Sequence, residues 1–212
     1  MRPANNTVAI AALMVVLSGG APAQTPAAPA SPACAQPVYL TFDTGHMGVA
    51  PLIAEVLQRQ HVKVTFFVAQ EKTQQGDGTL GATWAPWWAA RAAEGHEFAS
   101  HTFDHVYWQS DVPGVSGSTA AHFKMRPSAG PQAGQTRLWS RADYCESLKQ
   151  ASTRIEALTG RPSLPLFRAP GGKTSPRLLA AAKSCGYAHV GWAEAGFLGD
   201  ELPSENSATP NC

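Results

Sequence analysis

Two imidazoles four residues apart, in His101-Thr102-Phe103-Asp104-His105, are the sharpest chemical feature of this 212-residue chain. Such a pair can converge on one metal ion if the segment makes a helical turn. The Glu that follows the first His in the zinc-protease helix motif is absent, so protease chemistry is a poor match. An isolated pair of this kind is more often two loop histidines. The company it keeps points further: Asp43, Arg168 and the glycines at 171 and 172 follow segments that read as β-strands. A carboxylate beside a metal-bound water can take its proton, and a guanidinium can hold that carboxylate ionised and fixed.

The elements that must position these groups alternate in type. Val38 to Phe42 reads as a first strand, and Val49, Leu52, Ile53, Val56 and Leu57 then recur at helical spacing. Val62 to Val68 reads as a buried strand, Trp87 to Glu94 as a short helix closed by Gly95, and Glu97 to Ser100 as a third strand. Gln109 to Leu138 is rich in Gly, Ser, Pro and Gln and reads as a long irregular loop that shapes a groove. Ser140 with Asp143 opens a helix carrying Cys145, Leu148, Ile155 and Leu158 on one side and stopped by Gly160. Ser163 to Phe167, a helix from Ser175 to Ser184, and Tyr187 to Trp192 complete the alternation. That order implies parallel strands joined by right-handed crossovers, in an open doubly wound sheet or a barrel. Asp43, His101, His105 and Arg168 then share the C-terminal strand ends, where such folds build their sites. His61 begins a strand and should lie at the opposite end, as a surface histidine.

Composition narrows the function classes. Sixteen Lys and Arg against fifteen Asp and Glu leave a net charge of +1, without the basic footprint of a nucleic-acid binder. Arg2, the apolar run Val8 to Leu17 and Ala21-Pro22-Ala23 read as a signal peptide over 1–23. The run is roughly half the length of a membrane span, so no stable membrane anchor is expected after cleavage. Residues 24–36 form an Ala/Pro-rich linker, and the domain is expected over 37–212. Export through a bacterial inner membrane, to the periplasm or beyond, makes Cys34, Cys145, Cys185 and Cys212 disulfide candidates. One bridge is expected. Three complete pairings are open, and buried thiols are the alternative for Cys145 and Cys185.

Thr41-Phe42-Asp43-Thr44-Gly45, the His101 to His105 segment and Phe167-Arg168-Ala169-Pro170-Gly171-Gly172 resemble, in order, three motifs of the polysaccharide deacetylases, the NodB-like carbohydrate esterase family four. The resemblance runs from about Pro37 to Asp200. It implies an α/β fold, a distorted (β/α) barrel, and metal-dependent removal of acetyl groups from glycans, peptidoglycan or another N-acetylhexosamine polymer. Carried over by position, Asp43 is the catalytic base, Arg168 its partner, and His101 with His105 the ligands of a divalent metal, zinc above others. Pro170 and Gly171 would line the substrate groove. Trp108, adjoining His105, is the expected sugar contact, whereas Trp84, Trp87 and Trp88 are expected mostly in the core.

Three departures bear on activity. Thr44 stands where the family has a second Asp, the third metal ligand, which leaves Thr44 itself or His46 as a candidate donor. Gly171 replaces an aromatic residue and so removes a wall of the groove. The late Leu-x-His motif has no counterpart after Asp200, so the barrel is expected to be incomplete, and Trp192-Ala193-Glu194 only resembles the start of the fourth motif. The deacetylase remains the leading expectation, and these departures define its rival, a non-catalytic glycan-binding protein on the same fold.

Overall fold

A computed structural model describes residues 38–113 and 122–192. The signal peptide, the linker, Cys34, Cys212 and the segment after Trp192 lie outside the described residues. Five short strands make one parallel sheet: β1 (Thr41–Asp43), β2 (Thr65–Val68), β3 (Glu97–Ser100), β7 (Leu166–Phe167) and β8 (Ala188–His189). Their spatial order is their chain order, β1-β2-β3-β7-β8. A doubly wound sheet reverses order at a switch point, whereas here each strand is added on the same side. This is the winding of a (β/α) barrel. Among the described residues β1 and β8 remain edges, so the barrel is a distorted arc.

The connecting helices are α1 (Ala50–Gln60), α2 (Ala85–Ala93), α3 (Arg141–Thr159) and α4 (Pro176–Ser184). Helix α1 buries Ala50, Ala54 and Leu57, at i, i+4 and i+7, while Val49, Leu52 and Val56 are exposed. The packed stripe is thus narrower than the apolar pattern predicts. His61 follows α1 as its exposed left-handed cap at φ 54°. Helix α3 starts on the expected capping box: Ser140 Oγ accepts from Asp143 N at 3.2 Å, and Ser140 N donates to Asp143 Oδ2 at 2.7 Å. Gly160 ends it at φ 68°. One disulfide, Cys145–Cys185, ties α3 to the residue after α4.

The long loop is where the sequence reading fails. Instead of irregular chain, 106–140 holds a second, antiparallel sheet of β4 (Val106–Val112), β5 (His122–Pro127) and β6 (Arg137–Ser140), with residues 114–121 not described. The physical reason lies in β5, where Phe123 and Met125 are fully buried between exposed Lys124 and Arg126. That is the period-two alternation of a half-buried strand. Gly130, Pro131 and Gly134 lie in the turn between β5 and β6, whereas Pro127 ends β5 itself.

Two cores result. Phe66 centres the first, with Trp87, Trp88, His96 and Phe98 within 6.2 Å of its ring. The second joins Phe123, Met125, Tyr144, Leu148, Phe167 and Leu178 beneath the antiparallel sheet. Both put apolar mass under the C-terminal strand ends, which holds the polar residues above them in place.

Candidate active site

The parallel ladder delivers the site residues. β1 ends on Asp43, opposite Phe67 of β2, and Ser100 at the end of β3 pairs with Phe167 of β7. The next residue of each of the last two strands, His101 and Arg168, therefore stands at the same level. Their backbones are held there too, since His101 N donates to Val68 O at 2.8 Å and Arg168 N to Ser100 O at 3.0 Å.

Arg168 is the electrostatic centre. Its Nη1 donates to Asp43 Oδ1 at 2.7 Å, Nη2 to Thr41 Oγ1 at 2.9 Å and Nε to Val190 O at 3.1 Å. Its guanidinium carbon sits 4.2 Å from the Phe67 ring centroid, so a fixed, desolvated cation faces the carboxylate. Burial pushes the Asp43 carboxyl above its ordinary value, and the charge and hydrogen bond of Arg168 oppose that rise.

The two imidazoles converge, though not by a helical turn. Thr102 and His105 both take left-handed backbone, at φ 62° and 47°, with His105 N donating to Thr102 O at 3.4 Å. Such conformations are strained for non-glycine residues. Here Thr102 Oγ1 braces the turn by accepting from Val106 N at 2.7 Å. The rings meet with centroids 4.9 Å apart.

Their tautomers follow from their partners. His101 Nδ1 lies 2.9 Å from Arg168 O, an acceptor, so Nδ1 carries the proton and Nε2 a bare lone pair. His105 Nδ1 lies 2.6 Å from Ser128 Oγ, whose own hydroxyl donates to His105 O, which leaves its Nε2 bare as well. Burial holds both rings neutral at neutral pH, His101 down at about 4 and His105 at about 3.

A divalent cation suits this arrangement. His101 Nε2 faces Asp43 Oδ2 at 3.6 Å, two acceptors with no proton between them when the imidazole is neutral. A cation relieves that opposition and is the usual partner of a neutral imidazole whose far nitrogen is hydrogen-bonded. Among the described residues no three His, Cys, Asp or Glu side chains gather closely enough to hold a metal by themselves. The protein's own donors are the two imidazoles. Thr44 Oγ1 is engaged by Ala69 N at 2.9 Å, and His46, exposed, accepts from Gly48 N at 3.0 Å through Nδ1.

Asp43, Thr44, His46, His101, His105 and Gly171 all border one cavity of about 430 Å³. Pro170 is buried in the tight turn Pro170–Gly172 beside it. The structure takes Trp108 elsewhere: it packs against the second core and donates to Asp111 Oδ1 at 3.1 Å. Tyr107, its neighbour, is the cavity residue. Alternation along β4 sends adjacent side chains to opposite faces, and the aromatic, β-branched run Val106 to Trp108 was the signal that a strand begins there. Trp87 and Trp88, read as core residues, border the cavity from the core side, with Trp88 buried.

Sequence reading also missed Glu71. Its carboxyl hydrogen-bonds with Thr44, its Oε2 is buried without a partner, and burial helped by the Asp43 charge pushes it up to about 7. A loop residue after β2 announces nothing of the kind in sequence.

The family model described as Polysaccharide deacetylase matches residues 30–190. Chitooligosaccharide deacetylase from Azorhizobium caulinodans is 25% identical over 156 residues, which are 73% of this chain and 57% of that protein. The chain thus spans less than two thirds of the length of this curated relative. Among solved structures, Bacillus subtilis PdaA, a family 4 carbohydrate esterase, is 24% identical, covers 73% of this chain and 51% of its own, and gives a TM-score of 0.49. A family 4 pseudoenzyme from Bacillus anthracis is 17% identical over 73% of this chain and 42% of its own, with a TM-score of 0.48.

Proposed function

The chain belongs to the polysaccharide deacetylase family, and from that premise we propose that it is a metal-dependent hydrolase removing acetyl groups from an N-acetylated glycan, peptidoglycan or another N-acetylhexosamine polymer. One observation carries the reading: Asp43 sits between the Arg168 guanidinium at 2.7 Å and His101 Nε2 at 3.6 Å, at the edge of a cavity sized for a sugar. Nε2 of His101 and of His105 would hold a divalent cation, zinc being expected for imidazole donors. When bound, that cation polarises the acetyl carbonyl and acidifies a water.

The remaining work falls to the chain's own residues. Asp43 Oδ2, the oxygen that is not bonded to Arg168 and stands 3.6 Å from His101 Nε2, accepts the proton of the attacking water. Burial raises its basicity, and Arg168 keeps it ionised and aimed. Arg168 O fixes the ring of His101, so one residue orients both the base and a ligand. Export to the periplasm or beyond belongs to the same proposal and rests on the apolar run Val8 to Leu17 with its small-residue cleavage site.

The test is zinc content of the purified full chain beside His101→Ala, followed by acetate release from N-acetylchitopentaose with and without chelator. About one zinc per chain, lost in the variant, together with chelator-sensitive acetate release supports the hydrolase. Glycan binding with no acetate release and no chelator sensitivity would replace it with the binding-only protein.

A further inference from the structure

The cavity wall beyond His105 is a ring that belongs to none of the three motifs. β4 leaves the His101–His105 turn, and its second residue, Tyr107, comes back to border the cavity. The ring is pinned on two sides. It meets His105 edge to face, with centroids 4.9 Å apart and planes at 89°. Its edge lies against the Gly171 backbone, where an added Cβ would stand 2.9 Å from Tyr107 Cε1 and 3.3 Å from Cδ1, and the Lys173 ammonium stands 5.8 Å from its centroid. Real Cβ atoms do not approach a ring so closely. The ring fills the volume that only a glycine leaves open, in a turn whose φ of 62° also favours glycine.

The result is a half-buried aromatic plate, fixed before any ligand arrives and adjoining the imidazole pair. Pinning matters because a ring already immobilised loses little entropy when a ligand stacks on it. Around it the cavity wall is mostly apolar, with Phe42, Trp87 and Trp192 among its residues. A pyranose suits such a surface, since one face presents axial C–H groups to a ring and its rim presents hydroxyls.

We propose that Tyr107 is a substrate-contacting, specificity-determining residue, whose ring, seated on Gly171 and against His105, stacks with the N-acetylhexosamine whose acetyl group is attacked. This rests on the glycan reading of the cavity. Gly171 therefore acts as the seat of a wall contributed by another strand, and its lack of a side chain is what admits that wall.

Binding of N-acetylchitopentaose to the full chain, supplemented with zinc, is read by isothermal titration, with acetate release followed in the same samples. Tyr107→Ala should weaken binding about tenfold, and Tyr107→Phe, which keeps the plate, less than about threefold. Gly171→Ala should weaken binding in the parent chain by pushing the ring aside, yet add little in the Tyr107→Ala background. This cycle cancels the backbone strain common to both glycine variants, and the comparison of Tyr107→Ala with Tyr107→Phe carries the test if the glycine variants fold poorly. Equal affinity of the parent and Tyr107→Ala, additive losses in the cycle, or no binding by the parent would overturn the assignment. Binding that depends on Tyr107 without acetate release would instead sink only the hydrolytic reading.

Discussion

Replacing Arg168 with methionine probes the centre of the site directly. Arg168 is 2% exposed, and its three hydrogen bonds end on Asp43, Thr41 and Val190. Removing one partner of a buried ion pair costs about 3–5 kcal/mol, because the other charge stays buried or must take up a proton. Methionine retains much of the apolar stem over Phe67, so the packing loss is small. In an Asp43→Asn background the same change should remove only bonds to neutral acceptors, those to Thr41 Oγ1, Val190 O and the carboxamide oxygen, together about 2 kcal/mol. The coupling between the two sites is then about 2 kcal/mol. Urea unfolding of the metal-free protein at pH 7 measures it. With a slope of about 2 kcal/mol per molar, Arg168→Met should lower the midpoint by about 2 M in the parent and about 1 M in the Asn background. A coupling below about 0.5 kcal/mol would refute the argument, since Arg168 would then act through its other contacts alone.

Three further outcomes follow from the same structure. In metal-free protein His101 and His105 titrate at about 4 and about 3 against an ordinary 6.5, so the unfolded chain gains protons first and stability should fall as pH drops from 7 towards 5. Glu71, held up at about 7, acts in the opposite sense because the folded chain binds its proton first; Glu71→Gln should steepen the acid loss in urea midpoints, and an unchanged slope would contradict its burial. The Cys145–Cys185 bridge closes a separation of 40 residues, so the double Cys→Ser variant should lose about 4 kcal/mol, read against the oxidised chain by the same unfolding experiment.

Local chemistry determined a good deal by itself. The alternation of β-type and helix-type runs was enough for an α/β fold with parallel strands, because hydrophobic period and helix-stop glycines are local signals. The capping box at Ser140 and Asp143 and the stop at Gly160 needed no tertiary information. The grouping of Asp43, His101, His105 and Arg168 was legible too, since the C-terminal ends of parallel strands meet by construction. Other features depend on contacts between distant segments. Which cysteines pair follows from α3 and α4 lying side by side. The second sheet emerged only where β5 found partners on both sides, because short strands are stable only when paired. Tyr107 takes Trp108's expected place through the phase of β4, a choice of face that one residue of register reverses. The His101 to His105 turn keeps its two left-handed residues because Thr102 braces it from within and Ser128 and Arg168 from two distant segments. Glu71 meets Thr44 across a parallel strand pair, where sequence distance carries no information about spatial distance. Residue types thus specify which chemistry is available, and packing between distant segments specifies which atoms face one another.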